Sequence, residues 1–451
     1  MKSIAVREAV KAVSGIYHGP EELQDRLIRG IAIDNRKTEK DWLFVPIKGD
    51  RFDGHSFIDG AFEAGALVTL SEKRTDHPYI EVKDTAAAFR DIAEYYKSLF
   101  DIKTVGITGS VGKTTTKEMI ASVLSQSFNT IYTQGNLNNQ TGVPLTVLGI
   151  EETHEAAVIE MGTNHFGEIA AVAKVARPDV CVLTNIGEAH LEFLGSKEGI
   201  LKAKTEMLDY MKEGGKVVIN GDDPYLRTLK EKRSDTVSFG FNEDNDIYVS
   251  DIDERGLEGI AFTAVTASGE LKALVRVPGR HMVLNAMAAA AVGLIYGMDL
   301  DSIAKGIDAY EPLSGRFSIK KGNGLTVIDD VYNASPTAMK SSIDALSLAQ
   351  GRKVCVLGDM LELGDSSRVK HLSVGRYASD KDIDLIIAVG RQAEAIAEGS
   401  SENGSETAYF EDQESLIEKI GYLIKEGDTV LVKASRGMHL EKTVERLLSE
   451  D

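Results

Sequence analysis

At 451 residues the chain is longer than one hydrophobic core usually organises, and its length implies two or three domains. Its 70 acidic against 51 basic residues give a formal charge of −19, which argues against nucleic-acid binding as the main activity and means that an anionic substrate must be met by local basic groups. Two cysteines, Cys181 and Cys355, each sit in an apolar run and are expected to be buried thiols, with no disulfide framework or zinc pattern.

Residues 1–15 lack the continuous apolar core of a signal peptide, so a cytoplasmic protein is expected. Strand-like runs at 31–33, 43–46 and 67–70, with a helical run at 58–64 and glycine and aspartate turns between, predict a small α/β module ending near residue 84. An amphipathic helix over 85–100 leads into an apolar strand at 104–107.

That strand runs into Thr108-Gly109-Ser110-Val111-Gly112-Lys113-Thr114-Thr115-Thr116, which opens a helix predicted over 115–127. Glycines let backbone N–H groups approach phosphate oxygens, and the helix start adds partial positive charge. Lys113 can reach β and γ oxygens, and Thr114 can ligate Mg²⁺. The common P-loop spacing requires glycine five residues before Gly112, where this chain has Ile107, so the loop belongs to a narrower class. The segment is expected to bind ATP or GTP.

Strands and helices then alternate at 157–160, 168–176, 180–185, 196–211 and 216–220, which predicts a parallel sheet covered by helices on both faces. Ligands gather at the carboxyl ends of such strands, and Glu160, Asn185 with His190, and the P-loop all fall just past them. Residues 282–298 are alanine-rich, interrupted by Asn285 and marginally short for a membrane span, so a buried helix and no membrane insertion are expected. Past a loop at 312–317, runs at 325–329, 353–358, 385–389 and 429–433 predict a Rossmann-like domain, with 398–406 as a surface loop. The expected fold is therefore α/β in three domains, at 1–84, 85–313 and 314–451.

Several motifs stand in one order along nearly the whole chain: the P-loop, Gly135-Asn136-Leu137-Asn138-Asn139, Glu160-Met161-Gly162, Thr184-Asn185-Ile186-Gly187-Glu188-Ala189-His190, Ala203-Lys204-Thr205-Glu206, Asp329-Asp330-Val331-Tyr332-Asn333, and Leu357 through Gly364. Together they resemble the Mur ligase family, ATP-dependent ligases of peptidoglycan precursor synthesis. The match is nearest the branch that joins D-alanyl-D-alanine to UDP-N-acetylmuramoyl-tripeptide. The branch that adds the third amino acid typically carries Asp-Asn-Pro-Arg in its last domain, which is absent here. Folylpolyglutamate synthase shares the catalytic core without this kind of N-terminal module. A nucleotide-driven switch or transport ATPase is the alternative from another class, opposed by the third domain and by Glu160, His190 and Lys204.

The resemblance implies specific roles. Lys113, Glu160, His190 and Lys204 would be catalytic. Thr108, Gly109, Ser110, Val111, Gly112, Lys113 and Thr114 would hold the phosphates of ATP, and Asn285, Arg316, Asp330 and Tyr332 its base and ribose. Thr114 and Glu160 would serve one Mg²⁺ and His190 a second, with Lys204 carbamylated to give an anionic oxygen group. By its residue type alone Lys204 is a solvated helix lysine, and Lys202 competes with it two residues away. Asp34, Asn35, Arg36, Lys48, Gly49, Asp53 and His55, with Asn138 and Asn139, would hold the UDP-sugar substrate. Asn35 stands where the family usually has serine, and 333–336 and 433–436 also depart from its pattern. A monomer is the family default.

Overall fold

The computed structural model describes residues 1–49, 52–187, 191–402 and 404–449. Its contacts group into two compact units, one of 1–250, 264–271 and 284–307 and the other of 251–263, 272–283 and 308–451.

The first unit begins with a five-stranded sheet. Gly30–Ala32, Trp42–Phe44, Ala66–Ser71 and Tyr79–Glu81 lie parallel in that order, and Ile16–His18 pairs antiparallel at the Tyr79–Glu81 edge. The helix Thr85–Ser98 starts where Asp84 accepts a hydrogen bond from the Ala87 N–H, satisfying one of the free amide groups of its first turn. Its apolar stripe of Ala88, Phe89, Ile92, Ala93 and Tyr96 is fully buried, and the helix packs on Gly142–Leu148 and Glu168–Ala176. The Tyr96 hydroxyl donates to the carbonyl of Ile150 at 2.6 Å, tying this helix to the connection between Gly142–Leu148 and the strand Ala156–Glu160 of a larger sheet.

That larger sheet contains Thr236–Gly240, Lys216–Asn220, Val180–Leu183, Lys103–Thr108, Ala156–Glu160 and Thr130–Tyr132 in parallel order. The central strands read as continuous apolar runs because both faces are covered. The first 3₁₀ and α segments after Ser196 divide the helix expected over 196–211: Lys197–Thr205 is α-helical and Glu206–Tyr210 a tighter 3₁₀ run. The alanine-rich segment forms the helix Arg280–Ile295, buried along most of its length, as its composition predicts. Among the described residues no helix is long and apolar enough to cross a membrane.

In the second unit a six-stranded sheet runs Ser318–Gly322, Leu325–Asp330, Thr429–Lys433, Lys353–Gly358, Leu385–Val389 and Thr407–Phe410, with only the first strand antiparallel. Alternate residues feed two cores: Ile328, Cys355, Leu357, Ile386 and Leu431 on one face, and Val327, Val354, Val356, Ile387, Val430 and Val432 on the other. This two-sided burial is the doubly wound pattern expected for a Rossmann-like sheet.

The surface loop expected at 398–406 is corrected: the helix Glu394–Glu402 runs into that segment, with Gly399 and Ser400 buried. Packing overrides the polar composition there. A Cβ on Gly399 would meet the carbonyl oxygen of Leu372 at 2.3 Å, and one on Gly375 would meet that of Ile396 at 2.1 Å. Two glycines thus let Glu394–Glu402 and Ser367–Ser379 cross backbone to backbone.

Candidate active site

The phosphate cradle forms where the strand Lys103–Thr108 ends and the helix Lys113–Leu124 begins. Gly112 takes φ +79°, a left-handed conformation that suits glycine and aims successive N–H groups into one concavity. The loop is strapped to the turn after Val180–Leu183. The N–H of Ser110 donates to the carbonyl of Asn185 at 3.1 Å and that of Gly187 to Ser110 Oγ at 2.8 Å. The Asn185 side chain exchanges two 3.0 Å bonds with the backbone of Val111, whose carbonyl also accepts from Thr184 Oγ1 at 2.8 Å. A Cβ on Gly109 would fall 1.8 Å from Thr184 Oγ1, so a side chain there would displace Thr184 or the loop. Thr108 donates to the carbonyl of Met161 at 2.8 Å, and Lys113 Nζ to the carbonyls of Gly109 and Ser110 at 2.8 and 3.3 Å. Asn285 is drawn to the same loop: Thr116 Oγ1 donates to its Oδ1 at 3.0 Å.

Asp223 is a contributor with no motif of its own. Its Oδ2 accepts from the Ile186 N–H at 2.7 Å while its Oδ1 caps the helix Pro224–Lys232. The Asp-Pro pair at a helix start is the signal that could have marked it.

Glu160 ends its strand opposite Ile107, the register that brings it beside the P-loop. Its side chain is 1% exposed; Oε1 accepts from Asn138 Nδ2 at 2.8 Å, and Oε2 has no partner among the described residues. A buried carboxylate oxygen left unpaired is costly in protein alone, and it is the donor a hard cation takes. One such carboxylate, the Thr114 hydroxyl, waters and substrate phosphates make a set that fits Mg²⁺, which rarely has an all-protein cage. Among the described residues no group of three His, Cys, Asp or Glu side chains could hold a metal unaided.

Lys204 and its competitor two residues away, Lys202, differ in environment. Lys204 is 2% exposed, and burial, together with the charge of Lys113, lowers its amine from 10.5 to about 7. Lys202 lies with Nζ 5.7 Å from the ring centre of Phe166. His190, expected beside them, lies outside the described residues.

Asn138 meets Glu160, and Asn139 Oδ1 accepts from the N–H groups of Thr141 and Gly142 at 3.1 and 2.8 Å. Of the other residues expected at the UDP-sugar, Arg36 forms a two-pronged pair with Asp34 at 2.9 and 2.7 Å, which lowers that carboxyl to about 2. Lys48 is bridged to Asp53, and the Gly49 N–H donates to the Phe52 carbonyl at 3.0 Å. Asp53 is held well below the usual carboxylate range by Lys73 and His55. His55 Nε2 accepts from the Glu72 N–H at 3.1 Å, which puts its proton on Nδ1, 2.6 Å from Asp53 Oδ1. Both ring nitrogens therefore hold the loop itself.

In the second unit Arg316 stacks on Tyr332 with its guanidinium carbon 3.7 Å from the ring centre. Asp330 accepts from Ser342 and from Lys433 Nζ, each at 2.6 Å, and from the Phe317 N–H at 3.1 Å. Lys433, only 3% exposed, is the buried cation that fixes this strand-end carboxylate.

Three sequence families match successive parts of the chain: the Mur ligase family catalytic domain at 27–100, the Mur ligase middle domain at 107–293 and the Mur ligase glutamate ligase domain at 315–436. The chain is 38% identical to the UDP-N-acetylmuramoyl-tripeptide–D-alanyl-D-alanine ligase of Bacillus subtilis, covering 98% of each sequence. To the ligase of that name from Escherichia coli it is 37% identical, over 96% of this chain and 97% of the relative. Among solved structures, MurF from Acinetobacter baumannii superimposes with a TM-score of 0.92 at 32% identity over the full length of both chains. MurF from Thermotoga maritima in complex with ADP gives 0.82 at 31% identity, over 93% of this chain and 97% of that one.

Proposed function

The chain belongs to the Mur ligase family, and from that premise we infer that it joins D-alanyl-D-alanine to UDP-N-acetylmuramoyl-tripeptide at the expense of ATP, giving UDP-N-acetylmuramoyl-pentapeptide, ADP and phosphate. The observation that carries this reading is its full-length similarity to ligases of that name, with the P-loop, the buried Glu160 and the buried Lys204 in one unit.

The chemistry explains the need for ATP. A carboxylate resists amines, so the tripeptide carboxylate first attacks the γ-phosphorus, releasing ADP and forming an acyl phosphate. The dipeptide amine then adds to that carbonyl, and the tetrahedral intermediate expels phosphate and loses a proton. The protein's part is positioning and charge neutralisation. The backbone of 108–114 cradles phosphate oxygens, and Lys113 turns from its own loop carbonyls to the β and γ oxygens. Bound Mg²⁺ would neutralise phosphate charge, held by Thr114 and Glu160; His190 is assigned to a second ion.

Lys204 is assigned as a carbamate. A neutral amine adds CO₂ and releases a proton, and the amine here is brought to about 7. Asn285, Arg316, Asp330 and Tyr332 are assigned to the base and ribose. Asp34, Asn35, Arg36, Lys48, Gly49, Asp53, His55, Asn138 and Asn139 are assigned to the UDP-sugar, with Asn138 acting also on Glu160. Domains at 1–84, 85–313 and 314–451, a monomer and a cytoplasmic location complete the reading.

Phosphate release with ATP and Mg²⁺ tests it, adding UDP-N-acetylmuramoyl-tripeptide and D-alanyl-D-alanine separately and then together, with mass spectrometry of the product. Release only with both, and a pentapeptide product, is expected. Release with neither would overturn the ligase reading in favour of a nucleotide-driven switch.

A further inference from the structure

A second lysine on the P-loop helix is more deeply buried than the first. Lys117 lies one turn beyond Lys113, on the same helix face, and is 0% exposed. An ammonium in such a place is costly unless its donors are satisfied. Its Nζ donates to the carbonyl of Thr133, pairs with Glu118 Oε1 at 2.6 Å and sits 5.4 Å from the ring centre of Tyr132.

The residue it grips is itself an adaptor. Thr133 is 0% exposed and follows the short edge strand Thr130–Tyr132. Its N–H continues the ladder to the carbonyl of Val158 at 3.0 Å, and its Oγ1 accepts from the N–H of Glu160 at 3.0 Å. The chain then loops through Gly135 to Asn138, whose Nδ2 reaches Glu160 Oε1 at 2.8 Å and whose carbonyl accepts from the Gly162 N–H at 2.8 Å. The backbone and one carboxylate oxygen of Glu160 are thus both held by the segment that Lys117 anchors. The other oxygen is the buried atom left without a partner among the described residues.

We propose that Lys117 is a positioning residue that, through Thr133 and Asn138, aims the free carboxylate oxygen of Glu160 at the metal ion. A three-residue edge strand has little ladder of its own to fix the loop after it, and the lysine supplies a tie from the P-loop helix. The phosphate cradle and the carboxylate end of the metal site are thereby built as one piece. The inference rests on the assignment of Glu160 to Mg²⁺, and its test separates the two.

The experiment measures binding of Mn²⁺ to the full-length protein with ADP, following free Mn²⁺ by electron paramagnetic resonance, in wild type, Lys117→Met, Thr133→Val and Glu160→Gln. ADP affinity without metal and thermal melting are recorded alongside. Removing a residue that orients a metal ligand typically weakens metal binding by about 10- to 100-fold. Lys117→Met and Thr133→Val are each expected to weaken Mn²⁺ binding about tenfold, with metal-free ADP affinity within about twofold of wild type, and the double variant no worse than the poorer single. Thr133→Val keeps side-chain volume and the Lys117 contact, so it reports even if Lys117→Met fails to fold. Unchanged Mn²⁺ binding in Thr133→Val or a folded Lys117→Met, with Glu160→Gln weakened, would overturn the positioning role alone. Unchanged binding in Glu160→Gln would overturn the metal assignment and this inference with it.

Discussion

Replacing Lys204 by alanine tests the least intuitive part of the site, because a lysine is asked to become an anion. Burial first, and the charge of Lys113 second, bring its amine from 10.5 to about 7. At pH 7 roughly half of such amines are neutral, against about one in 3,000 for a solvated lysine. Only the neutral form adds CO₂, so the environment raises the reactive fraction about 1,000-fold. The sign follows: carbamate formation is expected to fall as pH drops through about 7, where the amine protonates, and to approach its limit near pH 8. Deleting the nitrogen should lower turnover by at least about 100-fold, the scale of losing one transition-state charge partner. A short carboxylic acid such as acetate should restore part of it by supplying the missing oxygens. Phosphate release measures the rate, and ¹³C NMR of protein equilibrated with labelled bicarbonate reports the carbamate. Turnover of Lys204→Ala within threefold of wild type, or a carbamate signal that persists in that variant, would refute the reasoning.

Gly109→Ala would place a methyl 1.8 Å from Thr184 Oγ1; Thr184 or the loop must shift, and the ADP dissociation constant measured by calorimetry is expected to rise at least about tenfold while the melting temperature changes little. Gly399→Ala drives a methyl into the carbonyl of Leu372 at 2.3 Å and should cost about 2 kcal/mol or more of stability in urea melts, without changing metal-free ADP affinity. Lys97 is 3% exposed, and burial, with Lys212 nearby, lowers its amine from 10.5 to about 8. Between those values the folded chain carries the neutral amine and the unfolded chain the ammonium, so stability rises with pH across the window and is lost as pH falls back through it. Urea melts at pH 8 and 10 should show wild type gaining about 2 kcal/mol relative to Lys97→Met; equal gains would reject the burial effect.

The P-loop was legible because its glycines, lysine and threonines occupy a place where an apolar strand gives way to a helix, and few other structures require that combination. The core strands 353–358, 385–389 and 429–433 were legible because a sheet buried on both faces leaves an unbroken apolar run. Burial of a charge was not. Lys204, Lys117, Lys433 and Lys97 are written like any surface lysine, and what distinguishes them is which carbonyls, carboxylates and aliphatic side chains the fold brings around them. The composition of 398–406 suits a loop, yet the helix Glu394–Glu402 enters it, because its serines and glycine leave the space that a neighbouring helix needs. Ile260–Thr266 alternates buried and half-buried residues, as a strand with one covered face does, but its half-buried positions include Ala261 and Val265, so the sequence itself shows no apolar–polar alternation. The resemblance implies a UDP-sugar role for Asn138; its hydrogen bond to Glu160 is not legible in the sequence, because it depends on how the segment after Thr130–Tyr132 lies against Ala156–Glu160.

Each compact unit carries one cysteine, Cys181 in the first and Cys355 in the second, both 0% exposed in central parallel strands and both with the thiol raised far above its usual range by burial. A thiol reagent needs the thiolate and access to it, so neither residue should react while its sheet is intact. The pair is therefore a built-in clock for opening. Under a fast reagent, the rate at which each cysteine is modified reports how often its own strand layer comes apart, and peptide mapping of the label tells which unit loosens first.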